Sequence, residues 1–307
     1  MILIANSEGF PGIELAATHL AGEANGLDAI VAGISLVEES VDVRSVGFGG
    51  WPNLLGEMEF DAGVMDGDSL DSGAVGALTG VINAAQVAKL VKERSNHQLL
   101  VGAGAKRFAA EMGFSDEETL YEDSAKTWRT VVDRALSEAD AKRFPEINLA
   151  ELPPLLTDPE MVRDTTVYLC CDKKRSLYAA TSTSGWAWKY PGRLGDSPVC
   201  GAGFYADSRY GAAACTHTGE MTIRQGTAKT VITALRLGYS LDDAVELAIN
   251  DLADLTSGHL GGVVIHAIDN DDRHKVVNFR CAGNIQYWYW SSGMSKPELR
   301  DADPAEQ

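Results

Sequence analysis

Between Asp164 and Gly219 the chain gathers the residue types best suited to handle a small polar ligand. Asp164-Thr165 comes first, followed by Thr181-Ser-Thr-Ser-Gly185 and Pro191-Gly-Arg-Leu-Gly-Asp-Ser-Pro198. Gly201-Ala-Gly-Phe-Tyr-Ala-Asp207 and Gly211-Ala-Ala-Ala-Cys-Thr-His-Thr-Gly219 complete the set. Hydroxyls, glycines, Arg193 and Asp196 dominate these turns. Small residues let backbone N–H groups approach a ligand closely, and hydroxyls supply short hydrogen bonds. The same composition also suits a run of tight turns in a β-rich domain. Composition alone leaves the two readings open.

Other chemistries have weaker footing. Gly102-Ala-Gly104-Ala-Lys-Arg107 and Gly201-Ala-Gly203-Phe-Tyr-Ala206 imitate dinucleotide fingerprints. The first has Arg107 at its third glycine position, and the second runs on into Asp207 and more loop. Each lacks part of the strand–turn–helix context that seats a pyrophosphate. Neither G-x-x-x-x-G-K-[ST] nor G-x-S-x-G occurs. The six histidines, at 19, 97, 217, 259, 266 and 274, show no close ligand pairing, so no catalytic metal and no cofactor are expected. Tyr287-Trp-Tyr-Trp290 reads as strand packing rather than a sugar platform.

The elements that must position these residues alternate between strands and helices. Residues 2–5 read as a buried strand, followed by helices over Pro11–Ala21 and Leu27–Glu39. In the second, Leu27, Ile30, Val31, Ile34 and Val37 recur at helical steps. A glycine-rich turn, Ser45–Asn53, precedes short strands around Glu57–Met65. Helices are expected at Asn83–Arg94 and Ala105–Met112, with a strand at His97–Val101 between them. Ser115-Asp-Glu-Glu118 has the form of a capping box opening a helical stretch, and a charged helix follows over Glu122–Lys142. Residues 146–164 read as an exposed connector, rich in proline. Thr165–Cys171 and Ser176–Thr183 then read as strands, with adjacent Cys170 and Cys171 facing opposite ways. Gly211–Thr216 is a strand candidate and Ile223–Leu237 a helix. Ser240 caps Leu241–Leu255, whose Leu241, Ala244, Val245, Ala248 and Leu252 share an apolar face. Three closing strands are expected at Gly262–Ile268, Lys275–Cys281 and Gln286–Trp290, before a polar, frayed tail from Ser295 to Gln307. This mixture favours a layered α+β architecture.

The chain has 307 residues, 45% of them hydrophobic and 23% charged, which excludes disorder as its main state. The 26 basic residues are outweighed by 44 acidic ones, for a net charge of −18. Such a surface repels phosphate backbones and anionic membranes, so neither nucleic acid nor membrane is expected as a partner. Five cysteines, none in a C-x-x-C pair, read as buried free thiols in a reducing compartment. The opening Met-Ile-Leu-Ile-Ala-Asn-Ser-Glu has no basic n-region, and the uncharged stretch Ser72–Ala88 is too polar to span a bilayer. A cytoplasmic location is expected.

The motifs from Asp164 to Gly219, taken in order, resemble the glycosylasparaginase family. That family belongs to the N-terminal-nucleophile hydrolases and is related to plant-type L-asparaginases and isoaspartyl peptidases. The likeness extends to Ser45-Val-Gly-Phe-Gly-Gly50, Met65-Asp-Gly67, Gly73-Ala-Val-Gly76 and Leu99-Leu-Val-Gly102, and so covers most of the chain. It implies one hydrolase domain with a four-layer αββα sandwich, self-cleaved at Asp164–Thr165 into residues 1–164 and 165–307. It also implies a homodimer of cleaved protomers. Cleavage would leave Thr165 with a hydroxyl and a free α-amine of reference pKa near 7.7–8.0. Modest burial lowers that value, so the neutral amine could serve as base to its own hydroxyl.

The resemblance also assigns the remaining roles. Thr183 would bond to Thr165 and tune it. Arg193 would hold a substrate α-carboxylate through two parallel bonds, while Asp196 and the carbonyl of Gly219 meet the α-ammonium. Thr216 and the N–H of His217 would form an oxyanion hole, in which each donor contributes ~3 kcal/mol. The family pattern has glycine where this chain has His217, a glycine where it has Val167, and a tryptophan near Asn6-Ser-Glu-Gly9. The implied reaction is β-aspartyl transfer to Thr165 from N4-substituted asparagine or asparagine, with water releasing aspartate. Two rivals accompany it: hydrolysis of isoaspartyl dipeptides, and a non-catalytic homologue that binds an amino acid.

Overall fold

The computed structural model describes residues 1–152 and 165–305. Asp164 of the expected cut, most of the connector and the last two residues lie outside the described residues. The chain opens with β1 (Ile2–Asn6), α1 (Ile13–Ala21) and α2 (Gly26–Glu39). Next come β2 (Phe60–Asp66), β3 (Asp71–Leu78), α3 (Ala84–Arg94), β4 (Leu99–Val101), α4 (Gly102–Glu111), α5 (Glu122–Ala135) and α6 (Glu138–Ala141). The second part holds β5 (Thr166–Cys171), β6 (Leu177–Thr183), β7 (Phe204–Asp207) and β8 (Gly211–His217). It continues through α7 (Gly219–Gln225), α8 (Thr227–Arg236) and α9 (Leu241–Ala253). β9 (Val263–Asp269), β10 (His274–Phe279), β11 (Gln286–Ser291), β12 (Glu298–Asp301) and β13 (Asp303–Pro304) close it.

The strands form two sheets. One has eight strands in the order β12-β11-β1-β5-β6-β2-β3-β4, and the other has five, β13-β10-β9-β8-β7. Period-two side-chain alternation decides what each strand faces. Ile2, Ile4, Val167 and Leu169 of the larger sheet share a core with Phe204, Ala212, Ala214, Val264 and Ile268 of the smaller one. The intervening Leu3 and Cys170 turn the other way, into a cluster with Ile30, Ile34 and Val87 of α2 and α3. Adjacent Cys170 and Cys171 therefore enter different cores, as strand geometry requires. On the smaller sheet, Ala213, Cys215 and Ile265 pack against Val231, Val245 and Leu252 of α8 and α9.

The strongly periodic helices follow their sequence signals. All five apolar positions of α2 are buried, and Asn25 caps it by accepting from the N–H of Leu27 at 2.9 Å. Ser240 caps α9 through the N–H of Asp243 at 3.2 Å. Tyr287 and Trp290 of the aromatic run are buried in the packing.

Several expectations need correction. The helix expected over 223–237 is two helices, broken at Gly226, whose φ of 60° is left-handed. There the first turn of α8 finds outside acceptors: Ala228 and Lys229 donate to the carbonyls of Ala202 and Gly201. The helix expected over 122–142 also breaks, at Leu136, and Ser137 caps the short piece after it. Ser115 caps nothing; α5 starts at Glu122 after an extended Tyr121. The tail is not frayed as far as Ala305, because β12 pairs with β11 and β13 with β10. Besides β12 and β13, two strands were hidden from periodicity, β3 and β7. In β3, a Cβ on Gly73 would stand 2.2 Å from the carbonyl oxygen of Ala88, so that glycine marks where α3 lies directly on the sheet. Cys200 is exposed and Cys281 half-buried, so not every thiol is in the core. Among the described residues, no helix is long and apolar enough to cross a membrane.

Candidate active site

Thr165 stands immediately before β5 and is 6% exposed. The backbone ladder between β1 and β5 runs from Ile2 opposite Cys171 to Ala5 opposite Tyr168. Asn6 extends it with a side chain. Its Nδ2 donates to the Thr165 carbonyl at 2.5 Å, and its Oδ1 accepts from the N–H of Val167 at 3.0 Å. The backbone on both sides of Thr166 is thereby fixed, and with it the position of the Thr165 hydroxyl. That hydroxyl lies 3.4 Å from the hydroxyl of Ser197.

The segment carrying Arg193 and Asp196 is an irregular loop, yet it is anchored to β2 and β6. Glu59 accepts from the N–H of Gly192 at 2.9 Å, and buried Asp61 from that of Gly195 at 3.3 Å. Two carboxylates thus grip the backbone on either side of Arg193. Buried Lys189 donates to the Glu59 carbonyl at 3.1 Å, and desolvation lowers its pKa. Farther along, Thr181 donates to the carbonyl of Ser197 at 2.7 Å. The loop is rigid because of what it is tied to.

Arg193 is already engaged. Its Nε donates to Glu220 at 3.0 Å and its Nη2 to both Glu220 oxygens, at 2.9 and 2.8 Å. The guanidinium carbon lies 4.0 Å from the centre of the Trp186 ring, a cation–π stack. The expectation that Arg193 offers its whole fork to a ligand is therefore too simple, because Glu220 takes the Nε edge. Nη1, beside Gly195, is the nitrogen not bonded to Glu220 among the described residues, and Arg193 lines the pocket. Asp196 is 3% exposed and accepts from the Thr222 hydroxyl at 2.6 Å. Burial raises its pKa to about 6, against the opposing pull of that hydrogen bond and of Arg193. Gly219 lies against it: a Cβ there would come 2.8 Å from the N and 2.9 Å from the Oδ1 of Asp196, so no larger residue fits.

Thr216 and His217 end β8. His217 has a φ of 82°, a left-handed backbone that ordinarily calls for glycine. The turn geometry implied by the family pattern is thus kept although the residue is histidine, at a cost of about 1–3 kcal/mol in strain. Its Nδ1 lies 3.0 Å from the Thr216 hydroxyl.

One pocket brings together Thr165, Thr183, Arg193, Asp196 and His217, joined by Gly185, Trp186, Gly195 and Ser197. Thr183 accepts from the N–H of Gly185 at 3.0 Å, Thr216 adjoins through His217, and Gly219 through Asp196. The expected site residues therefore converge, except Asp164, which is outside the described residues. Sequence reasoning missed Asn6, Trp186, Ser197, Glu220 and Thr222. Trp186 sits next to a quoted motif and Ser197 inside one, and both were within reach. Glu220 and Thr222 fall on the helix turn after Gly219, and Asn6 lies at the far end of the sequence, so no local signal marks them.

A positioned hydroxyl, a fixed cation, a buried carboxylate and a tight turn beside the hydroxyl suit acyl transfer from a small amino-acid-like substrate. Comparison with known proteins points the same way. A family model described as asparaginase matches residues 12–290. The chain is 34% identical over 274 residues to the plant-type L-asparaginase of Pyrococcus abyssi, covering 89% of this chain and 86% of that protein. It is 33% identical over 231 residues to the N(4)-(β-N-acetylglucosaminyl)-L-asparaginase of Elizabethkingia miricola, covering 75% and 63%. A putative enzyme of the same description in Drosophila persimilis is 31% identical over 290 residues, covering 89% and 74%.

Proposed function

This chain belongs to the asparaginase family, and on that premise we propose that it is a β-aspartyl amidohydrolase whose nucleophile is Thr165, exposed by cleavage after Asp164. The observation that carries this reading is the convergence of Thr165, Arg193, Asp196 and His217 on one pocket. The alternating faces of the two sheets, with α1–α3 outside one and α8–α9 outside the other, support a four-layer αββα sandwich.

Arg193 Nη1 takes the substrate α-carboxylate and Asp196 the α-ammonium, which orients an aspartyl side-chain amide toward Thr165. The Thr165 amine accepts the hydroxyl proton as Oγ1 attacks the amide carbon. The negative charge that forms on the amide oxygen is met by the Thr216 hydroxyl and the N–H of His217. When the C–N bond breaks, the ammonium of Thr165 returns its proton to the departing nitrogen. Water, deprotonated by the same amine, then attacks the ester, and aspartate leaves. Asparagine gives ammonia, and an N4-substituted asparagine gives the corresponding amine.

Aspartate release from L-asparagine, N4-glycosylasparagine and a β-aspartyl dipeptide, compared for the native protein and Thr165→Ala, tests the reading. The native protein is expected to act on one or both asparagine derivatives, and Thr165→Ala to lose ~10³-fold or more. Turnover by Thr165→Ala would remove the nucleophile, and turnover of dipeptides alone would replace the substrate.

A further inference from the structure

A second recess lies on the far side of the Thr216–His217 turn. It is lined by Asn6, Ser7, Thr216, His217 and His266, with Asn284 and Gln286 at its rim. It shares a single lining residue, His217, with the pocket that holds Thr165 and Arg193. His266 is fully buried; the backbone of Ala214 lies close enough to act on its ring, yet neither ring nitrogen makes a well-formed hydrogen bond among the described residues. The strand register places His266 opposite Ala214 and Val264 opposite Thr216, so His266 and Thr216 present the same face of the smaller sheet. A buried polar ring whose nitrogens are incompletely satisfied is costly unless something comes to meet it.

We propose that this recess receives the departing half of the substrate, that it selects a neutral, hydroxyl-bearing amine such as a glycosylamine, and that His266 is its specificity-determining residue. The inference rests on the β-aspartyl amidohydrolase reading and deepens it. Burial lowers the pKa of His266 to about 3, with the neighbouring His217 acting in the same direction and the backbone of Ala214 opposing it. The ring is therefore neutral imidazole, offering one donor and one acceptor. At the rim, the side-chain amide nitrogens of Asn284 and Gln286 both donate to Asp301 at 2.9 Å. Each amide keeps its carbonyl oxygen, which accepts from hydroxyls, and one further N–H, which donates to them.

The charges in the neighbourhood point the same way. No lysine or arginine is among the described residues lining the recess, and Asp301 stands at its rim. The leaving group of a β-aspartyl dipeptide carries an α-carboxylate, which would enter without a cation and next to an acid. A sugar amine brings hydroxyls that can both donate to the amide carbonyls and pair with His266. Ammonia passes through without using the recess at all.

The test measures kcat/KM on N4-glycosylasparagine, L-asparagine and a β-aspartyl dipeptide for the native enzyme, His266→Phe and Gln286→Arg. Phenylalanine keeps the ring and removes both nitrogens, so the ratio of glycosylasparagine to asparagine turnover should fall ~10-fold or more. Arginine at the half-buried rim position should raise dipeptide turnover relative to asparagine, and it tests the proposal even if His266→Phe does not fold. A native enzyme that favours the dipeptide, or ratios that stay within ~2-fold of native in both variants, would overturn the proposal. Failure of the native enzyme on all three substrates would instead overturn the amidohydrolase reading beneath it.

Discussion

On one side of the Thr216–His217 turn, Arg193 is bonded to Glu220 and stacked on Trp186, and Asp196 is bonded to Thr222. On the other side, His266 is fully buried, and neither of its ring nitrogens makes a well-formed hydrogen bond among the described residues. The first recess is charged and held in advance; the second is neutral and incompletely satisfied. The difference suits the two tasks proposed for the recesses. A constant aspartyl group can be read by fixed charges, because its carboxylate and ammonium never change. A variable leaving group is better met by uncharged donors and acceptors, which cost less to leave partly unused.

The comparison breaks most visibly at Arg193. Replacing it by alanine removes the cation and leaves Glu220 without its partner, so kcat/KM should fall ~10²-fold or more for every substrate alike. A loss confined to one leaving group would mean that the two recesses do not divide the substrate as described.

A pH profile sharpens the same contrast. Asp196 is protonated below its raised pKa of about 6 and anionic above it, and in the proposed mechanism it is the anion that pairs with the substrate ammonium. Below pH ~6, kcat/KM should therefore fall about tenfold per pH unit from this group alone, with the Thr165 amine adding its own acid limb. In the complex, the bound ammonium stabilises the Asp196 anion, so kcat should keep only the amine's limb. In Asp196→Asn the kcat/KM profile should flatten toward that of kcat. An unchanged limb in Asp196→Asn would assign it elsewhere. His266, neutral down to a pKa of about 3, should add no limb between pH 5 and 8.

The smallest expected effect concerns the wall between the recesses. His217→Gly and His217→Ala both lose the imidazole, but only glycine relaxes the left-handed backbone. Thermal unfolding should find the glycine variant more stable by ~1 kcal/mol, with both keeping the backbone N–H. Equal stabilities would show that the turn carries no strain.

What the sequence reveals depends on whether a signal is local. The faces of α2 and α9 and the split of Cys170 from Cys171 follow from periodicity, and they appear as expected. β3 escaped because its glycines look like turn residues, whereas Gly73 is small to let α3 approach. β12 and β13 escaped because edge strands bury little; the sheets' open ends recruit them. The same holds at the site. Thr165, Arg193 and Asp196 sit in dense motifs, and the pocket gathers them. Asn6 was out of reach because it meets Thr165 only through the β1–β5 pairing across 159 positions. Glu220 was missed because nothing in its neighbourhood predicts that Arg193 folds onto it.

The central claim is that Thr165 becomes an N-terminus, and the intact mass of the purified protein under denaturing conditions tests it most directly. The account predicts two polypeptides, residues 1–164 and 165–307, the second beginning with Thr165. A single uncut chain of 307 residues after long incubation would contradict it, since Thr165 would then have no α-amine to act as base.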